Sequence, residues 1–230
     1  MESPIARAVH RIARLTQSRM QGIPSVGAYI YRFVARGLLR ALHELVAREV
    51  ASGCSMGCTV LDVGCGPGIL ISSILSLGSR AMCIGLDISP KMVELAREEA
   101  LTRGIYQLVD LVVGDSQLMP FRSRSVDIAV STGALHHFPK PRNFFSECSR
   151  VVRDKCVVYE LSFDVPRDEV KRMERILGVS AWLYRAAGIL HGVPRSDFLA
   201  GSMARELRES GARYSLEFLG PITKVVISPS

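Results

Sequence analysis

The 230 residues include a single tryptophan, six cysteines and no uninterrupted apolar run of membrane-spanning length. The most apolar stretch, 27–46, is cut by Arg32, Arg36 and Arg40, so no transmembrane segment is expected. Cys54, Cys58, Cys65, Cys83, Cys148 and Cys156 are too few and too scattered for a secreted disulfide scaffold, which points to a reducing, cytoplasmic setting. Cys54 and Cys58 have the spacing of a metal half-site. No second Cys/His pair follows at finger spacing, however, and Leu61 stands where an iron–sulfur motif needs its third ligand, so no metal is expected. A secretory h-region is missing, and nothing after the arginine-rich front favours organelle import. With 48% hydrophobic residues and ordinary glycine and proline counts, disordered and collagen-like chains are excluded.

What is present is a net charge of +7, of which residues 1–50 carry +5, from eight arginines against three acids. Arg7, Arg11 and Arg14 recur at helical spacing opposite Ile5, Val9 and Ile12. That face suits nucleic acid, acidic lipid or an anionic substrate, or is simply solvated. Two helices are predicted here, over 5–20 and 28–51, forming an N-terminal extension over 1–52.

From residue 53 the pattern changes to short apolar runs alternating with amphipathic ones, the signature of βαβ units. Strands are predicted at 59–63, 81–86, 108–113, 126–131 and 155–161, with helices at 69–77, 90–103 and 142–152 between them. Helical material at 164–190 forms an insertion over 164–193, followed by a helix at 196–210 and two strands, 214–219 and 223–227, joined by Gly220-Pro221. The expected fold is α/β: a doubly wound, mostly parallel seven-stranded sheet with a C-terminal antiparallel hairpin, residues 53–230 making one domain.

Ligands of such sheets bind beyond the carboxyl ends of the strands. There the first strand runs into Asp62-Val63-Gly64-Cys65-Gly66-Pro67-Gly68, where missing side chains let a ligand press on the backbone. Asp87, 23 residues after Gly64, ends the second strand and suits the two hydroxyls of a ribose. Dinucleotide sites want G-x-G-x-x-G, but the glycines here alternate and position 69 is Ile. That spacing fits a loop around an amino-acid tail rather than a pyrophosphate.

These residues resemble the class I S-adenosylmethionine-dependent methyltransferases, specifically the type 11 group that includes quinone-biosynthesis enzymes. The resemblance covers about 60–161 and implies a Rossmann-like sheet. Val60 to Gly68 is similar to motif I, implying Asp62, Gly64, Cys65, Gly66 and Gly68 around the methionine part of the cofactor. Gly85-Leu86-Asp87-Ile88-Ser89 implies Asp87 on the ribose and Ile88 on the adenine face. Val113-Gly114-Asp115-Ser116 implies the Asp115 carboxylate on the adenine amino group and the Ser116 N–H on the ring. The strand ending at Ser131 implies that its backbone lies near the cofactor's amino group, with Ala134-Leu135-His136-His137-Phe138 next. Arg153-Asp154-Lys155 replaces the family's usual Lys-Pro-Gly-Gly turn. The resemblance implies S-adenosyl-L-methionine as donor and S-adenosyl-L-homocysteine as product.

Transfer from a sulfonium asks the protein mainly to align the nucleophile and exclude water. His136 or His137 is a candidate general base; either is otherwise a loop hydrogen-bonder or pocket lining. Glu160 either contacts the acceptor or pairs with a basic loop. Tyr29, Tyr31, Trp182 and Tyr184 offer an aromatic wall for a planar or lipid-like substrate, or belong to the core. A small-molecule acceptor is favoured over RNA, because no aromatics interleave with the basic residues. A non-catalytic scaffold would not need three acids around one pocket. Nothing in the sequence bears on oligomeric state.

Overall fold

The computed structural model describes residues 40–230 apart from 179, 181, 182, 184–187 and 190. The helix expected over 5–20, and Tyr29, Tyr31, Trp182 and Tyr184, lie outside the described residues.

Seven strands form one sheet in the order β3-β2-β1-β4-β5-β7-β6. They are β1 (Thr59–Val63), β2 (Met82–Asp87), β3 (Val109–Val113), β4 (Val126–Thr132), β5 (Val152–Leu161), β6 (Tyr214–Leu219) and β7 (Ile222–Ile227). The first five pair in parallel, and β7 runs antiparallel to both β5 and β6. The doubly wound sheet with a terminal hairpin is therefore as expected.

Period-two alternation along each strand feeds two cores. Val60, Cys83, Val130 and Val157 face one side, under helices α1 (Arg40–Gly53) and α2 (Ile69–Ser76). Leu61, Leu86, Ala129 and Val158 face the other, under α4 (Pro141–Val151), the helix that follows α3 (Pro90–Thr102). Helix α3 begins as its sequence predicts: Ser89 Oγ accepts the Met92 N–H and Pro90 occupies the first turn. Lys224 of β7 pairs with Glu49 of α1 at 2.7 Å, which fastens that helix to the sheet.

Three local expectations change. Helix α4 passes into β5 without a turn, so the strand starts at Val152 rather than at 155. The helical material after β5 includes α5 (Arg167–Leu177), and the helix expected over 196–210 is two, α6 (Arg195–Ala200) and α7 (Ser202–Glu209). The break at Gly201 follows from Asp197, whose carboxylate leaves its own helix to accept the Ser202 N–H at 2.6 Å and the Ser202 hydroxyl at 2.9 Å. Finally, Cys54 and Cys58 are joined by a disulfide, in contrast to the reduced thiols expected of a reducing setting, while Cys65, Cys83, Cys148 and Cys156 are buried thiols.

Candidate functional site

Strand order reverses between β1 and β4, and the connections leave to opposite sides, opening a crevice beyond their carboxyl ends. A cleft of about 750 Å³, partly open to solvent, occupies it. It is lined by Gly64 and Gly66 after β1, Leu86, Asp87 and Ile88 at the end of β2, and Gly114, Asp115, Ser116 and Gln117 after β3. Gly133, Ala134, His137, Phe138 and Pro139 after β4 complete the wall. Gly133, at φ 61°, has open space where a Cβ would stand, so a side chain there would project into the crevice.

Asp87 organises the floor. One carboxylate oxygen accepts the Gly66 N–H and the other the Ser89 N–H, both at 2.9 Å. Burial nevertheless raises its pKa above the usual carboxylate range, against the pull of those two donors. Each oxygen keeps a further lone pair for a ligand hydroxyl. Asp115 turns one oxygen back to the Gln117 N–H at 2.8 Å, an Asx turn that fixes the loop. Ile88 stands 37% exposed at the cleft wall, and Ser116 is buried beside it.

Asp62 lies deeper, 2% exposed, and its Oδ2 has no hydrogen-bond partner. Burial, and then the nearby Asp87 charge, push its pKa up to about 8. It shares a small cavity with Cys65, Thr132 and His43 of α1. Burial lowers the His43 pKa to about 4. A neutral acid and a neutral imidazole, both with unpaired buried atoms, form a compartment that a charged ligand group can complete.

Two of the sequence-predicted cofactor residues are not among those lining the cleft. Gly68 is not in the cleft: a Cβ on it would come within 3.1 Å of Ala96, so its bareness permits α2 to approach α3. Ser131 is fully buried and paired in register with Val158, because β4 continues to Thr132. Gly133 and Ala134, just beyond β4, line the cleft.

A short 3₁₀ turn, Leu135–His137, places the two histidines after β4. Their rings lie 4.1 Å apart, but only His137 lines the cleft. Burial, then the neighbouring His136 and His191, lower the His137 pKa to about 3, too weak a base for general-base work near neutrality. Glu160 does not line the cleft; of the two readings, it is the pairing with a loop that the structure shows, the partner being His136 of the turn after β4. It is fully buried in β5, where it accepts the His136 N–H at 3.2 Å and the His136 Nδ1 at 3.2 Å.

Sequence reading missed His43, Gln117 and Phe138. The Gln117 amide oxygen accepts the Lys140 N–H at 2.9 Å, clamping the loop after β3 to the start of α4. No motif flags such a residue; the contact arises only when the two loops meet across the crevice.

Residues 61–159 match the family model described as a methyltransferase domain. The chain is 36% identical over 179 residues to 24-methylenesterol C-methyltransferase 2 of Arabidopsis thaliana, covering 77% of this chain and 46% of that protein. It is 30% identical over 125 residues to the sterol 4-C-methyltransferase strm-1 of Caenorhabditis elegans, covering 54% of this chain and 36% of that protein. The chain thus spans half or less of the length of the curated relatives it matches first. Its fold is shared with a SAM-dependent methyltransferase structure from Aquifex aeolicus, at a TM-score of 0.63 and 18% identity, covering 90% of this chain and 98% of the other.

Proposed function

Since the chain belongs to the class I S-adenosylmethionine-dependent methyltransferases of the type 11 group, we propose that it methylates a small, lipid-like acceptor with S-adenosyl-L-methionine, releasing S-adenosyl-L-homocysteine. The observation that carries the reading is the convergence of Asp62, Asp87 and Asp115 with bare glycine backbone on the carboxyl ends of β1 to β4.

The residues fit the donor. Asp87 offers its remaining lone pairs to the ribose diol, Ile88 an apolar surface to the adenine, and Asp115 its free oxygen to the adenine amino group. The unpaired Asp62 carboxyl, with Thr132 and His43 near it, suits the methionine ammonium. When bound, the donor supplies a methyl carbon on a positively charged sulfur, and the nucleophile's lone pair displaces the thioether in line.

The chain's part is alignment and exclusion of water. Phe138 and Ala134 give the acceptor end an apolar wall, and His137, neutral at physiological pH, supplies one hydrogen-bonding group there. The sterol methyltransferases among the relatives support an apolar acceptor, a sterol or quinone type of ring. Tyr29, Tyr31, Trp182 and Tyr184 are proposed as further wall.

Calorimetric titration with S-adenosyl-L-homocysteine, S-adenosyl-L-methionine and NAD tests the site. Binding of the first two and not the third is expected; preference for NAD, or binding of none, overturns the reading. Labelled methyl incorporation into a lipid extract, followed by mass spectrometry, identifies the acceptor. Incorporation confined to RNA overturns the acceptor class.

A further inference from the structure

His136 Nε2 is buried and has no hydrogen-bond partner, although the other nitrogen of the same ring is held by Glu160. With a carboxylate accepting at Nδ1, the ring proton sits there and Nε2 carries the lone pair. An imidazole aimed in this way, 2% exposed and backed by a fully buried acid, is the outer-shell arrangement that prepares a histidine to ligate a metal.

Two more imidazoles surround it. His137 follows on the same turn, and His191, beyond β5 in the chain, brings its ring centroid to 5.8 Å from that of His136. One ligand atom from each of the three lies within 4.8 Å of the others. We infer that His136, His137 and His191 form a binding site for a divalent transition-metal cation, zinc above all, with Glu160 orienting the buried ligand.

Three imidazole nitrogen donors suit borderline-soft zinc and not calcium or magnesium, which take oxygen ligands. Ligation needs each ring to present a lone pair, and at His136 the Glu160 carboxylate at Nδ1 leaves Nε2 as the ligating atom. In a tetrahedral site with bonds of about 2.1 Å the ligand atoms stand about 3.4 Å apart, so closure moves the rings by about an ångström. His191 is the exposed member of the three. Three protein ligands leave a fourth position. Because His137 lines the cleft, a cation held by the three rings would border it. The binding claim does not rest on methyl transfer.

The test uses the full chain, stripped with a chelator and kept free of reductant. Cobalt(II) or zinc(II) is titrated against a competing chromophoric chelator. Expected is one equivalent per chain, with cobalt giving the visible bands of a tetrahedral nitrogen site and no thiolate charge-transfer band. His191→Ala and His137→Ala should each lose more affinity than the roughly 10- to 100-fold expected of Glu160→Gln, the outer-shell change. Binding of S-adenosyl-L-homocysteine by His191→Ala, measured alongside, reports that the variant is folded and is read separately from the metal result. Should a variant fail to fold, cobalt-shifted imidazole resonances of the wild-type chain decide. Shifts at His136, His137 and His191 support the site. Shifts elsewhere, no bound cation, or unchanged affinity in folded His191→Ala overturn it.

Discussion

The Asp87 carboxylate accepts the Gly66 N–H at 2.9 Å, so the acid that ends β2 also shapes the glycine turn that follows β1. Asp87→Ala therefore removes a ligand contact and a loop anchor together. S-adenosyl-L-homocysteine affinity should fall by about 2 kcal/mol or more, the value of a charge-assisted pair of hydrogen bonds. Calorimetry checks it, and unchanged affinity would remove Asp87 from the site.

Asp62 makes the ligand-free protein sensitive to alkali. Its pKa rises from 3.8 in the unfolded reference to about 8 when folded, so the folded state holds the extra proton between those values. Stability is then undiminished below about pH 4 and declines as pH climbs toward 8. Asp62→Asn should flatten this slope and be more stable than wild type at pH 8 by an amount on the order of a few kcal/mol. Denaturant titrations at several pH values measure it; a slope unaltered by the substitution would contradict the assignment.

The same group should report ligand charge. At neutral pH Asp62 is mostly protonated, so docking an ammonium beside it expels a proton. Binding enthalpies measured in buffers of different ionisation enthalpy should reveal that release, and Asp62→Asn should abolish it. Buffer-independent enthalpy in the wild type would place the amino group elsewhere.

His43 gives the opposite slope on the acid side. Its pKa drops from 6.5 to about 4 on folding, so its contribution is complete above pH 6.5 and is lost as pH falls toward 4. His43→Leu replaces a buried ring lacking a partner at Nδ1 and should weaken acid destabilisation over that window. Thermal melts from pH 7 to 4 test this; parallel wild-type and variant curves would refute it.

Gly68 is a packing position. Its φ is 75° and a Cβ would meet Ala96, so Gly68→Ala should cost stability through backbone strain and crowding, roughly 1–3 kcal/mol. Affinity for S-adenosyl-L-homocysteine in the folded variant should change much less than stability. A variant of native stability that no longer binds would return Gly68 to the cleft.

The strands and the three acids were legible because each depends on local pattern: apolar runs for a sheet covered on both faces, and an acid at a strand end before a helix cap. The end of β4 was less legible, because a strand's final pairing depends on its neighbours, here β5, which accompanies β4 as far as Thr132 and Tyr159. Gly201 breaks a helix whose apolar spacing continues through it, since the decisive capping comes from the Asp197 side chain. Glu160 read as an acid that either contacts the acceptor or pairs with a basic loop, because its sequence neighbours do not include His136, the group that makes its burial tolerable. Roles that depend on two distant segments meeting, such as that of His43 beside Asp62, leave no spacing to read.

The strand order has a consequence for synthesis on the ribosome. β6 is made before β7, yet in the sheet it touches only β7, and β7 lies between it and β5. Until residues 222–227 have emerged, the β5 edge, with its Val157 to Leu161 backbone, has no partner of its own and is open to another nascent strand. Emergence of β7, the strand that pairs with β5 directly, therefore sets the moment at which that edge is sealed against aggregation, whether or not β6 is already paired with it.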